Sequence, residues 1–99
     1  VFFRGAPQLI ICVAPSKYDW KMEDGVAALT YLELAAHAHG IGMCWGGYFT
    51  TAARNYKPLQ EYLGITDDEH ICGAQMVGYP VLGIAKKVPV KTPYRIEYI

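Results

Sequence analysis

DGVAALTYLELAAHAHGIGMCWGG, residues 24–47, reads as one helix that empties into a glycine-rich turn, and the rest of the chain is organised around it. Asp24 can open the helix by accepting a hydrogen bond from an early backbone N–H. Val26, Ala27, Leu29, Leu32, Leu34, Ala35, Ala36 and Ala38 then supply apolar surface on nearly every side. A helix with so small a polar face is buried, or held between a core and a partner subunit. Gly40 closes it, because glycine takes the left-handed conformation without a Cβ clash. The turn that follows holds Gly42, Gly46 and Gly47 around Cys44 and Trp45. Small residues there let backbone approach something closely, either a neighbouring strand or a flat ligand.

Upstream, QLIICVA (8–14) is a compact apolar run between Pro7 and Pro15. It shows no alternation, so both faces are expected to be covered, as in the central strand of a sheet. PSKYDWKME (15–23) is a loop in which Tyr18 and Trp20 either cover a pocket or pack the loop itself. Downstream, residues 48–62 are expected to hold one or two short helices. Thr50 and Thr51 are candidate caps for the first, and Pro58 suits the first turn of a second. Leu59, Tyr62 and Leu63 give that helix an apolar face, and Gly64 stops it. ICGAQMVGY (71–79) reads as a second buried strand ended by Pro80. The tail LGIAKKVPVKTPYRIEYI is extended, and its alternating RIEYI (95–99) reads as a strand in search of a sheet edge. One long helix among short helices and strands implies an α/β or α+β layer structure.

The 99 residues suffice for one small domain, yet 53% are hydrophobic. A domain of this size has difficulty burying that much apolar surface. A partner chain or a larger domain is therefore expected to cover the surplus, and the start at Val1, inside an apolar run, suggests a missing N-terminal portion. Nine Lys and Arg balance nine Asp and Glu, which argues against a nucleic-acid footprint. No apolar run is long enough to cross a bilayer. Cys12, Cys44 and Cys72 are widely spaced, without a CxxC pair. Free thiols in a reducing, cytoplasmic setting are the plain reading.

The glycine turn is the best ligand candidate, since backbone N–H groups in such a curve can bind an oxygen or a ring nitrogen. It has neither the GxGxxG spacing nor the Walker A lysine. Cys44 reads as a small buried hydrophobe rather than a nucleophile. His37 and His39, two apart on a helix, point in different directions and are poorly placed to share a metal. His70 sits in an acidic turn whose Asp67, Asp68 and Glu69 supply too few oxygens for a cation site of their own. Lys87 and Lys91, with Arg95 nearby, either neutralise a phosphate or belong to a solvated tail.

Taken in order, several pieces resemble the C-terminal half of a nitroreductase-family flavoprotein. They are RGAP with its apolar strand (Arg4 to Ala14), the D-x-x-x-A helix start (Asp24, Ala28) and LAAHAHGIGMCWGG (Leu34 to Gly47). The LGI turn (Leu63 to Ile65), the strand ending in GYP (Gly78 to Pro80) and KVPVKTP (Lys87 to Pro93) complete the series. The resemblance implies an α+β sandwich with a mixed central sheet and a buried central helix. It makes residues 1–99 the C-terminal portion of a single FMN-binding domain that works as an intertwined homodimer. It implies an oxidoreductase passing electrons from NAD(P)H through FMN to nitroaromatics, quinones or similar acceptors. The flavin carries the redox chemistry and no side chain here need be an acid–base catalyst. By position, Cys44, Trp45, Gly46 and Gly47 correspond to the segment against one face of the isoalloxazine ring, and Lys87 and Lys91 to the phosphate-binding basic residues. Cys44 and Gly46 depart from the proline or acidic residue that many relatives have in this turn. The VPVKTP tail is most similar to members associated with a ferredoxin-like iron–sulfur domain or partner. The alternatives from a different class are a non-enzymatic flavin- or nucleotide-binding domain and a structural dimerisation module.

Overall fold

A computed structural model describes residues 5–81 and 95–98. In chain order it contains β1 (Gln8–Pro15), α1 (Lys21–Ala38), β2 (Gly42–Trp45), α2 (Gly47–Arg54), α3 (Lys57–Tyr62) and β3 (Glu69–Gly78). The fold is α+β. The strands form one sheet in the order β1-β3-β2, and both pairings are antiparallel. The mixed sheet expected from the resemblance is thus seen only as its antiparallel pairs among the described residues.

β3, not β1, is the central strand. Its residues Ile71, Cys72, Gly73, Ala74 and Gln75 are buried, whereas β1 is half-buried along most of its length. The apolar run in β1 is explained by layers on both sides of the sheet rather than by neighbours on both edges. One face carries α1, with Gly25 and Leu29 against Cys72 and Gly73. The other carries α2 and α3, where Phe49, Ala53, Ile71 and Ala74 form a core flanked by Leu9, Ile11, Leu59 and Ile65.

The alternation of side chains along β3 is interrupted once. Cys12 pairs with Gly73 and Val13 with Ile71, so Cys72 is an extra residue opposite β1. Such a bulge places two successive side chains toward the same face. Cys72 and Gly73 both meet α1, while Ile71 and Ala74 on either side face α2. The Arg54 guanidinium fastens the irregularity: Nε donates to the Ile71 carbonyl at 2.8 Å and a terminal nitrogen to the Cys72 carbonyl at 3.1 Å.

α1 is continuous, as its Ala- and Leu-rich sequence requires. It starts earlier than expected. Trp20 is the residue before its first turn and Asp24 lies inside that turn, where its charge favours the helix N-terminus and its carboxylate accepts from the Tyr18 hydroxyl. The other end follows the expectation. Gly40 has φ +74°, its N–H donates to the His37 carbonyl, and Ile41 N–H donates to Ala36. This paired arrangement closes the last turn around a left-handed glycine. Gly64 ends α3 in the same way, with Ile65 N–H donating to Gln60.

The expectation of burial along the whole helix is not met within one chain. Gly25, Leu29 and Ala36 are buried, but Val26 is 41% exposed, Leu34 66% and Tyr31 77%. One sheet covers only one stripe of a helix that is apolar nearly all round.

Three local expectations are corrected. The glycine-rich turn contains a strand: Gly42–Trp45 pairs with Gln75–Gly78. Gly46 rather than Thr50 or Thr51 precedes α2, and the Thr50 hydroxyl donates back to the Gly46 carbonyl. Residues 95–98 are exposed and form no strand, with Arg95 paired to Glu97. In α3, Pro58 occupies the first turn as expected, but Tyr62 points to solvent instead of completing an apolar face.

Candidate functional site

The pairing of β2 with β3 splits the predicted turn into two halves. Trp45 and Gly46 are tied into the sheet. The Gly46 N–H donates to the Ala74 carbonyl at 2.8 Å, so it is not an open donor. The Trp45 ring lies over Gly73, where a Cβ would stand 3.0 Å from the ring, and 3.1 Å from Leu29 Cδ1. Gly73 therefore has no room for a side chain under that ring.

Cys44 and Gly47 face outward. Cys44 is exposed, contrary to the expectation of a small buried hydrophobe, because its side chain sits on β2, the outer strand among the described residues. Among the described residues its thiol makes a long contact to the Trp45 carbonyl, 3.8 Å. Gly47 opens α2, and a Cβ there would meet nothing within 4 Å. The first amides of a helix, here those of Gly47 and Tyr48, have no acceptor within the helix itself.

Cys44 also lines an open groove of about 420 Å³ at the end of the sheet. One wall is Gly5, Ala6 and Pro7, leading into β1. The floor is Gly42, Met43, Met76, Val77 and Gly78, and the far rim is Tyr79, Pro80 and Val81. Gly42 and Gly78 are direct cross-strand partners, so the floor is bare backbone at that point. Pro7 lies so close that a Cβ on Gly78 would stand 3.1 Å from its ring. Among the described residues no carboxylate, lysine, arginine or histidine lines the groove. It suits a flat apolar ring system.

Sequence reasoning found Cys44 but missed Pro7, Met43 and Met76 as groove walls. The GYP segment was the available signal, since it puts Gly78, Tyr79 and Pro80 at one end of the strand that pairs with the glycine turn. Lys87 and Lys91 lie outside the described residues. Tyr18 and Trp20 line neither groove nor cavity and belong to the loop before α1.

A second, polar recess of about 280 Å³ is lined by Ser16, Arg54, Gln60, Asp67, Glu69, His70 and Ile71. His70 is only half-exposed. Burial lowers its pKa below the ordinary imidazole value, and the Arg54 and Lys21 charges push the same way. Asp67 pairs with Lys57 at 2.5 Å, and Glu69 accepts from the Thr66 amide and hydroxyl. These groups hold the turn before β3 and leave the carboxylates engaged locally.

Within the central strand, Gln75 is fully buried. Its Nε2 reaches the Leu29 carbonyl at 3.5 Å, while Oε1 has no partner among the described residues. The described residues contain no cluster of three metal-ligating side chains and no helix long and apolar enough to cross a membrane.

The comparisons with known proteins bear on this geometry. The sequence profile of the Nitroreductase family matches residues 1–79. A protein of Archaeoglobus fulgidus, provisionally named an NADH dehydrogenase/NAD(P)H nitroreductase, is 36% identical over 76 residues, covering 73% of this chain and 43% of its own length. A crystal structure of a Bacteroides fragilis nitroreductase with bound FMN superimposes with a TM-score of 0.75 at 26% identity, covering 97% of this chain and 54% of that one. An FMN-dependent nitroreductase of Clostridium difficile gives a TM-score of 0.66, also at 26% identity, over 89% of this chain and 53% of its own. The chain spans about half the length of the relatives it matches. It belongs to the Nitroreductase family.

Proposed function

We propose that the protein containing residues 1–99 is an FMN-dependent oxidoreductase, passing electrons from NAD(P)H to nitroaromatic, quinone or similar small acceptors. The observation that carries this reading is the apolar groove floored by the Gly42–Gly78 pair and edged by Cys44, in a chain that matches an FMN-bound nitroreductase along nearly all its length. FMN, when bound, supplies hydride acceptance and donation.

The chain's own part is to bind, orient and exclude water. Cys44 and the groove walls would cover one face of a flat ring. Gly47, with open space where a side chain would stand, admits ring edge or ligand oxygen to the start of α2. Trp45 and Gly46 act indirectly, by fixing β2 to β3 so that Cys44 and Gly47 stay outward. Lys87 and Lys91 are proposed to neutralise the FMN phosphate.

The site is proposed to form in a homodimer. Val26, Tyr31 and Leu34 present apolar surface on the uncovered side of α1, which a second copy would bury. A cytoplasmic location, in keeping with three unpaired cysteines, completes the reading.

The test is desalting of the full-length protein after incubation with FMN, followed by NADH and NADPH oxidation with a nitroaromatic or quinone acceptor. Retained flavin and acceptor-dependent turnover are expected. Flavin lost on desalting, with no turnover, would overturn the proposal.

A further inference from the structure

The bulge in β3 brings two thiols from different strands into one small space. Cys12 of β1 is paired with Gly73, and the extra residue beside that pair is Cys72. Cys72 thus sits one position along the strand from the residue directly opposite Cys12. The side chains also converge. A Cβ on Gly25 of α1 would stand 2.9 Å from Cys72 Sγ and 3.5 Å from Cys12 Sγ, so both sulfurs crowd the same point beneath the helix. The Cys72 thiol lies 3.2 Å from the Lys21 carbonyl at the start of α1. No catalytic or binding role in the groove involves either residue, and neither lines it.

We propose that Cys12 and Cys72 are a paired-thiol oxidation site, closed by hydrogen peroxide to an intrachain disulfide between β1 and β3. Cys12 is the half-buried member and Cys72 the buried one, so Cys12 meets the oxidant first. Burial pushes the Cys72 thiol pKa up and disfavours its thiolate, so Cys72 is not the first to be oxidised; its resolving role follows from its place beside Cys12. In the first step the Cys12 thiolate attacks one peroxide oxygen. The O–O bond breaks, the other oxygen leaves as hydroxide and is protonated to water, and Cys12 becomes a sulfenic acid. In the second step Cys72 sulfur attacks Cys12 sulfur. The S–S bond forms, the S–O bond breaks, and the departing hydroxide takes the Cys72 proton as a second water. Two thiols give up two electrons and one peroxide is reduced. The disulfide removes the S–H that reaches the Lys21 carbonyl, and with it one link between α1 and the sheet.

The experiment treats the full-length protein with hydrogen peroxide, denatures it in alkylating reagent and maps the cysteine peptides by mass. The expected result is joint loss of alkylation at Cys12 and Cys72, a linked peptide containing both, and its disappearance after dithiothreitol. In Cys72→Ser the resolving thiol is absent, and Cys12 is expected to proceed to sulfinic acid. Both cysteines remaining alkylatable, Cys12 oxidised beyond sulfenic acid in the unsubstituted protein while Cys72 stays free, or a link to Cys44 instead would each overturn the proposal. The peptide map of the unsubstituted protein decides the matter even if a variant fails to fold.

Discussion

Gly25 of α1 stands directly against Cys72 of β3, so close that a Cβ on the glycine would lie 2.4 Å from the cysteine's own Cβ. A glycine inside a helix ordinarily weakens it. Here it lets the helix settle onto the sheet at the bulge, where Cys72 projects toward α1 as an additional side chain. Gly25→Ala gains about 1 kcal/mol in helix propensity. It must also force apart a helix and the central strand, and overpacking of that kind costs roughly 1–3 kcal/mol. The central strand is held from both sides, so the cost is expected to win. Urea unfolding should show a lower midpoint with an unchanged slope, and an unchanged or raised midpoint would contradict this packing.

Gly47 makes the opposite case. Open space surrounds its Cβ position, so Gly47→Leu should leave stability within about 0.5 kcal/mol. If the start of α2 lies against the flavin, the same substitution should weaken FMN binding about tenfold or more, read by quenching of flavin fluorescence. Unchanged FMN affinity with unchanged stability would remove Gly47 from the site.

Arg54 reaches across the α2 layer to hold the carbonyls of Ile71 and Cys72. Arg54→Ala leaves both without these donors, and partly buried carbonyls left unpaired cost about 1–3 kcal/mol. Arg54→Lys should recover little, because an ammonium cannot reproduce the two-donor fork. Thermal unfolding of the two variants checks this, and a lysine variant as stable as the unsubstituted protein would contradict it.

His70 gives a pH dependence of definite sign. Burial, Arg54 and Lys21 all lower its folded-state pKa. The unfolded chain therefore binds the proton more readily than the folded one, and stability rises with pH across the interval between the two values. Stability is fully present above the ordinary value of 6.5 and is lost as pH falls from there through the depressed folded pKa. Denaturation midpoints measured from neutral to acid pH should fall in that window, and His70→Asn should remove this part of the slope. An identical slope in the variant would show that His70 is not the group responsible.

Several parts of the fold were legible locally. Gly40 and Gly64 mark helix ends because only a left-handed residue closes those turns, and Pro58 marks a first turn because it has no N–H to leave unpaired. β3 was visible as a compact apolar run. β2 was not, since four residues beginning with glycine carry little strand preference of their own and pair only because β3 offers an edge. The central place of β3, the bulge at Cys72 and the outward turn of Cys44 depend on which strands meet, and no local pattern records that. The same applies to α1. Its all-round apolar sequence led to the expectation of burial on every side, whereas one chain covers only the stripe through Gly25, Leu29 and Ala36. The groove was half legible: the glycine turn and GYP were both recognised, and their convergence across the β2–β3 pair was not.

The central claim is a reducible flavin, and the most direct measurement is the visible absorption spectrum of the purified full-length protein before and after anaerobic addition of NADH or NADPH. The account predicts flavin bands that bleach on addition. A colourless protein that also refuses added FMN would contradict it.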